Sequence, residues 1–224
     1  MTLPFTPSQF LDVFQTYNES VWPMQIVLYL LALTSIFLAI TNRAASSRGV
    51  SVILAFLWLW MGIVYHLMNF TTINRAAYAF GLLFVVQGFL FFYAGVFKSE
   101  LSFRLHSDWY TVVGALLLLY ALVIYPALGQ GLGHSYPRSP TFGLPCPSTI
   151  FTFGILLWAD KKVPLFIVFI PFIWSLIGSS AALSLGMRED AGLLVAGCVG
   201  SAAIYFHSRQ VGRGQLRHER PEAH

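Results

Sequence analysis

Between Gly129 and Asp160 the chain reads GQGLGHSYPRSPTFGLPCPSTIFTFGILLWAD, and no regular helix can run through its first half. Pro137, Pro140, Pro145 and Pro147 each lack an N–H donor and push the preceding residue out of the α region. A helix can begin only near Pro147, with Cys146 at the N-cap and Ser148 and Thr149 in the first turn. From there to Ala159 about thirteen residues rise about 20 Å, short of the ~30 Å hydrocarbon core of a bilayer. The expectation is a half-helix over 147–159, preceded by a re-entrant Pro/Gly-rich loop. Such a loop is tolerated only where protein or a wet cavity surrounds it, so the functional site is expected here.

The rest of the chain supplies the membrane context. Of its 224 residues 57% are hydrophobic and 10% charged, and mean hydropathy is +0.69, where a globular domain carries about 25% charge. The fold class expected is an all-α integral membrane bundle of about seven transmembrane segments, a single domain over 1–207. The formal net charge of +4 does not point to nucleic acid, because the basic residues are scattered through loops and the tail rather than set in a phosphate-facing stripe. Cys146 and Cys198 fall in different segments and are expected to be free thiols. No Lys or Arg occurs in the first twenty residues, so no cleavable signal peptide is expected.

Thr6-Pro7-Ser8-Gln9 reads as a capping box, and Phe10, Leu11, Phe14, Tyr17 and Val21 recur at helical spacing, which predicts an amphipathic surface helix over 7–20. Its polar face carries Asp12, Asn18 and Glu19, expected in solvent. Spans follow at about 23–41, 50–68, 76–97, 109–128, 163–185 and 191–206, with the half-helix between the fourth and the next. Gly81, Gly88 and Gly95 lie one heptad apart and predict close helix contact. Gln87 must find a partner across a helix contact, and Pro171 should kink its span near Ile167. Gly192, Ala196 and Gly200 predict that the last two spans pack closely. Residues 208–224 read as a disordered basic tail.

With the N-terminus outside, the inner segments hold ten Lys and Arg: Arg43, Arg48, Lys98, Arg104, Lys161, Lys162, Arg209, Arg213, Arg217 and Arg220. The outer ones hold only Arg75, Arg138 and Arg188. This bias predicts an outer N-terminus and a cytoplasmic C-terminus.

No Asp, Glu, Lys or Arg lies within a predicted span, which argues against a carboxylate proton relay and against a retinal Schiff base. Nucleotide-loop, HExxH and GxSxG motifs are missing, so no catalytic residue is assigned and the chain reads as a non-enzyme. The candidate ligand-binding residues converge on the outer side: His66 and Asn69, which share a helix face, with His134, Tyr136, Arg138, Cys146, Ser148, Thr149 and Glu19. A half-helix N-terminus there suits an anion or an electron-rich group of a small solute and favours a thiolate. The leading expectation is a small permease-like or solute-binding protein with an outward vestibule and no cofactor. Two alternatives remain open. One is a redox protein binding copper, zinc or haem through His66, His134 and Cys146. The other is an assembly protein that meets partners, or copies of itself, through small-residue helix faces in the lipid bilayer.

Gly133-His134-Ser135-Tyr136-Pro137, Pro140-Thr141-Phe142-Gly143 and Pro145 to Gly154 resemble the signature of a bacterial multi-pass membrane family catalogued as a domain of unknown function. Tyr17-Asn18 with Val21-Trp22-Pro23, and Tyr65-His66 with Asn74-Arg75-Ala76-Ala77, are similar too. The resemblance covers nearly the whole chain apart from the tail. It implies a protein of the bacterial inner (plasma) membrane; members are sometimes labelled permeases, and no catalytic residue is carried over.

Overall fold

The structure is a computed structural model and describes residues 4–41 and 43–218. Among these residues the regular secondary structure is helical, and six helices are long and apolar enough to cross a membrane by length and composition. After α1 (Pro7–Val21) they are α2 (Met24–Thr41), α3 (Ala44–Thr72), α4 (Ala77–Phe97) and α5 (Trp109–Gly131). The short α6 (Pro145–Leu156) precedes α7 (Leu165–Ser184) and α8 (Arg188–Val211). Such a set of helices is that of a membrane-embedded protein. Several bounds differ from the sequence reading. α3 begins at Ala44 rather than residue 50, and the last α-helical section runs Ser201–His218, so residues 208–218 are helical rather than an irregular tail. The remainder of the expected tail, 219–224, lies outside the described residues.

α1 forms as its capping box dictates: Thr6 accepts from Gln9 N, and the Gln9 side chain accepts from Thr6 N at 2.8 Å. Its apolar face buries Val13, Phe14 and Tyr17 across one end of the bundle. Tyr17 is fully buried and accepts a 2.8 Å hydrogen bond from Trp60 Nε1, while burial pushes its phenol well above the usual range and keeps it neutral. Asn18, expected in solvent, is also fully buried. Its Nδ2 donates to the carbonyls of Pro137 (2.7 Å) and Ser139 (2.8 Å), and its Oδ1 accepts from Thr141 Oγ1 at 2.7 Å. The proline-rich loop has few internal backbone hydrogen bonds, and this amide supplies what it lacks.

Glycines set the helix contacts. A Cβ on Gly88 would stand 3.0 Å from the Ala55 carbonyl oxygen, and one on Gly62 would stand 2.9 Å from that of Gly81, so α3 and α4 meet backbone to backbone along the predicted stripe. The other small-residue face behaves differently. Gly192 abuts Tyr120 and Gly200 abuts Phe153; the close contact with α7 falls on Gly197, against Ser175. A π-helical turn at Ala196–Gly200 rotates the face away from its α-helical position.

α6 is the axis of the molecule. Every one of its residues except Cys146 is buried, and a helix apolar and covered all round packs inside rather than against lipid. Trp58 Nε1 donates to Thr152 Oγ1 at 3.1 Å, Trp158 Nε1 donates to the Thr111 carbonyl at 3.0 Å, and a Cβ on Gly114 would lie 2.8 Å from the Gly154 carbonyl. Its chain leaves at the opposite end of the bundle from α1. There Arg104 N donates to Trp158 O (2.8 Å) and Asp160 N to Ser102 O (3.0 Å). The same end holds the bonds from Phe103 N to Ser47 Oγ and from Val163 N to Ser208 Oγ. The loops are thereby sorted into two ends.

Candidate functional site

The end of the bundle under α1 holds two carboxylates, in the connection between the spans expected over 163–185 and 191–206. Gly186, with φ of +86°, terminates α7, and a 3₁₀ turn at Arg188–Asp190 opens α8. Glu189 is 1% and Asp190 2% exposed. Two tyrosines of α5 hold them. Residues five apart on an α-helix point roughly 140° away from each other. Between Tyr120 and Tyr125 the helix widens to a π turn, closed by Tyr125 N donating to Tyr120 O, which brings both rings to one side with centroids 6.2 Å apart. Tyr125 then donates to Asp190 Oδ1 and Tyr120 to the Glu189 backbone carbonyl, each at 2.7 Å.

From the loop comes His134, whose Nδ1 lies 2.8 Å from Glu189 Oε1; its side chain is 16% exposed and that of Glu189 is enclosed. Glu189 Oε2 has no hydrogen-bond partner. From α6 comes Cys146, a free and half-buried thiol. Cys146 is not the cap. α6 starts at Pro145 with Leu144 as N-cap, because Ser148 Oγ turns back to accept from Gly143 N at 3.0 Å and closes the turn two residues early.

At the same end of the bundle, under α1, lies a cavity of about 390 Å³. Its walls are Phe10 and Phe14 of α1, Tyr65 and Phe70 of α3, Phe80 of α4, Trp174 of α7 and the Cys146 side chain. Asn74, Ser180 and Ser184 are polar wall residues with local partners: Asn74 Oδ1 accepts from Ala76 N, Ser180 Oγ donates to Ile177 O, and Ser184 Oγ donates to Ser180 O. No Asp, Glu, Lys, Arg or His is among the lining residues.

The expected vestibule residues are dispersed. His134 pairs with Glu189, while Cys146 lines the cavity. His66 is fully buried among Tyr65, Phe70, Phe80, Phe84 and Trp174, with neither ring nitrogen hydrogen-bonded. It stands behind the cavity wall rather than on it. Asn69 does not share its face, because the π turn at Met61–Leu67 shifts the register; it donates to Val64 O and lines an outer depression beside Asp12. Glu19 accepts from Gln15 Nε2 at the surface, and Tyr136 is exposed. Arg138 pairs with Asp12 at 2.6 Å, both half in solvent, and fastens the loop to α1. Ser148 is used in the turn, and Thr149 Oγ1 is buried without a partner. Among the described residues no three His, Cys, Asp or Glu side chains are grouped so as to hold a metal ion.

Sequence reasoning missed Glu189, Asp190, Tyr120, Tyr125 and Asn18. One signal was available: Tyr120 and Tyr125 interrupt an apolar span just before Pro126, and buried phenols need acceptors.

No curated protein and no solved structure matches the chain. A family model matches residues 7–215, nearly its whole length. The chain belongs to the family of unknown function DUF6064.

Proposed function

We propose that the protein is a membrane-embedded binding protein whose cavity takes an apolar small molecule. The observation that carries this reading is the cavity itself: about 390 Å³, aromatic on most sides, with locally engaged polar groups. Ligand sites run about 300–1,000 Å³ and are mostly apolar. Ile177, Ser180 and Ser184 line it and also sit on the exposed side of α7, so a molecule dissolved in lipid would enter between α1 and α7. Binding is favoured over passage because the encased α6 fills the bundle axis. An anion is disfavoured because no Lys, Arg or His is among the lining residues to offset its desolvation. The cavity end carries Arg75, Arg138 and Arg188, and the opposite end most of the other basic residues; a bias of positive charge toward the cytoplasmic side supports reading the cavity as outward-facing.

The test uses the protein in lipid nanodiscs, irradiated with a neutral long-chain alcohol bearing a diazirine. Adducts are expected on peptides containing Phe10, Phe14 or Ile177. Ala181→Trp, which fills the cavity, should remove them while adducts on the lipid-facing Phe37 persist. Labelling spread evenly over exposed helices and unchanged by Ala181→Trp would refute the reading.

A further inference from the structure

One donor in the cavity lining has nothing to bond. Trp174 of α7 lines the cavity and is only 8% exposed, yet its indole Nε1 has no hydrogen-bond partner among the described residues. The rings of His66, Phe80 and Phe84 meet the indole edge to face, with centroids 5.1, 5.5 and 5.0 Å away, and none of them accepts from it. The indole edge that carries Nε1 lies over Gly178, a lining residue one turn along the same helix, where a Cβ would stand 3.1 Å from the nitrogen. The glycine thus keeps the N–H at the lining free of a covering side chain. A buried donor left unpaired is costly and calls for a partner. An ordered water is a poor one here, since it needs roughly two to four polar contacts of its own and the indole is surrounded by aromatic rings. The group that completes this donor is an acceptor brought by the ligand.

We propose that the cavity selects lipophilic molecules that carry a neutral carbonyl oxygen, a ketone or a quinone, and that Trp174 recognises it by donating its indole N–H. This rests on the cavity being a binding site for apolar molecules and adds the functional group. A neutral acceptor suits the site better than a carboxylate, because no Lys, Arg or His in the lining would offset the desolvation of a charge. Discrimination follows from burial: a ligand without the oxygen fills the same space and leaves the N–H unpaired.

Fluorenone and fluorene test this, being matched in shape and differing by the carbonyl. Each is titrated into protein in nanodiscs of dialkyl-ether phosphatidylcholine, whose lipids have no carbonyl of their own, and empty nanodiscs give the partition background. Saturable binding is expected, with fluorenone tighter than fluorene by about tenfold, the effect of one buried hydrogen bond. Trp174→Phe keeps an aromatic wall and removes the N–H, so the ratio of the two affinities should fall to near one. The infrared carbonyl stretch of protein-bound fluorenone should lie below that of fluorenone in empty nanodiscs, and this measurement decides the matter if Trp174→Phe fails to fold. Equal affinities in the parent, no saturable fluorenone binding, a ratio unchanged by Trp174→Phe, or an unshifted carbonyl stretch each overturns the carbonyl selectivity while the alcohol adducts still stand. A fluorenone advantage that survives Ala181→Trp places the carbonyl elsewhere and overturns the proposal as well. If the alcohol also fails to label the cavity, the reading beneath it fails too.

Discussion

Gln87 Nε2 donates to the carbonyl oxygen of Ile167 at 2.9 Å, across the contact between α4 and α7. Ile167 is the residue whose carbonyl would accept from position 171, and Pro171 has no N–H to give. An amide in the middle of one apolar helix thus satisfies the acceptor that a proline orphaned in another. Each feature is costly alone in hydrocarbon, and together they complete one hydrogen bond.

Gln87→Leu should therefore cost about 1–3 kcal/mol, the range for stranding a buried acceptor. Pro171→Ala returns an N–H to Ile167, so the same change in that background should cost clearly less. A double-mutant cycle on unfolding in detergent checks this; strictly additive losses would mean the two are not coupled.

Asn18 makes three hydrogen bonds to the loop at Pro137, Ser139 and Thr141. At about 1 kcal/mol each, Asn18→Ala should lose about 2–3 kcal/mol, with faster amide exchange confined to residues 134–144 and α1. Asn18→Asp replaces two donors by a carboxylate against two carbonyls and should do no better than alanine. Unchanged exchange in the loop would mean that the loop holds itself.

His66 has two ring nitrogens without partners inside a cage of aromatic rings. A phenyl ring occupies similar space and leaves nothing unsatisfied, so His66→Phe should match or exceed the parent in thermal stability. A marked loss of stability would show that the imidazole has a bonding partner in the folded protein.

The two ends of the bundle can be assigned to sides of the membrane by labelling. With Cys146 and Cys198 replaced by serine, a cysteine at the exposed Ser135 should react with an impermeant maleimide on intact cells. One at the exposed Lys162 should react only after permeabilisation. The opposite pattern inverts the arrangement.

What the sequence determined by itself was whatever depends on residues near in the chain. Apolar runs of helical length state which segments leave water, prolines state where a helix cannot continue, and Thr6 with Gln9 states where α1 begins, since these are local effects of solvation and backbone sterics. Gly81 and Gly88 announced close packing because a missing Cβ matters to any neighbour. Nothing local told Asn18 from the solvated Asp12, or put Glu189 and Asp190 inside. A polar residue at a helix end is buried only if a distant segment brings it partners: Pro137, Ser139 and Thr141 for Asn18, and Tyr125 and His134 for the carboxylates. The π turn that swings Tyr120 and Tyr125 to one side depends on the same meeting of α5 with the start of α8. Tertiary structure decided these because a buried polar group must be hydrogen-bonded, and its donors and acceptors lie about 55 to 120 residues away along the chain.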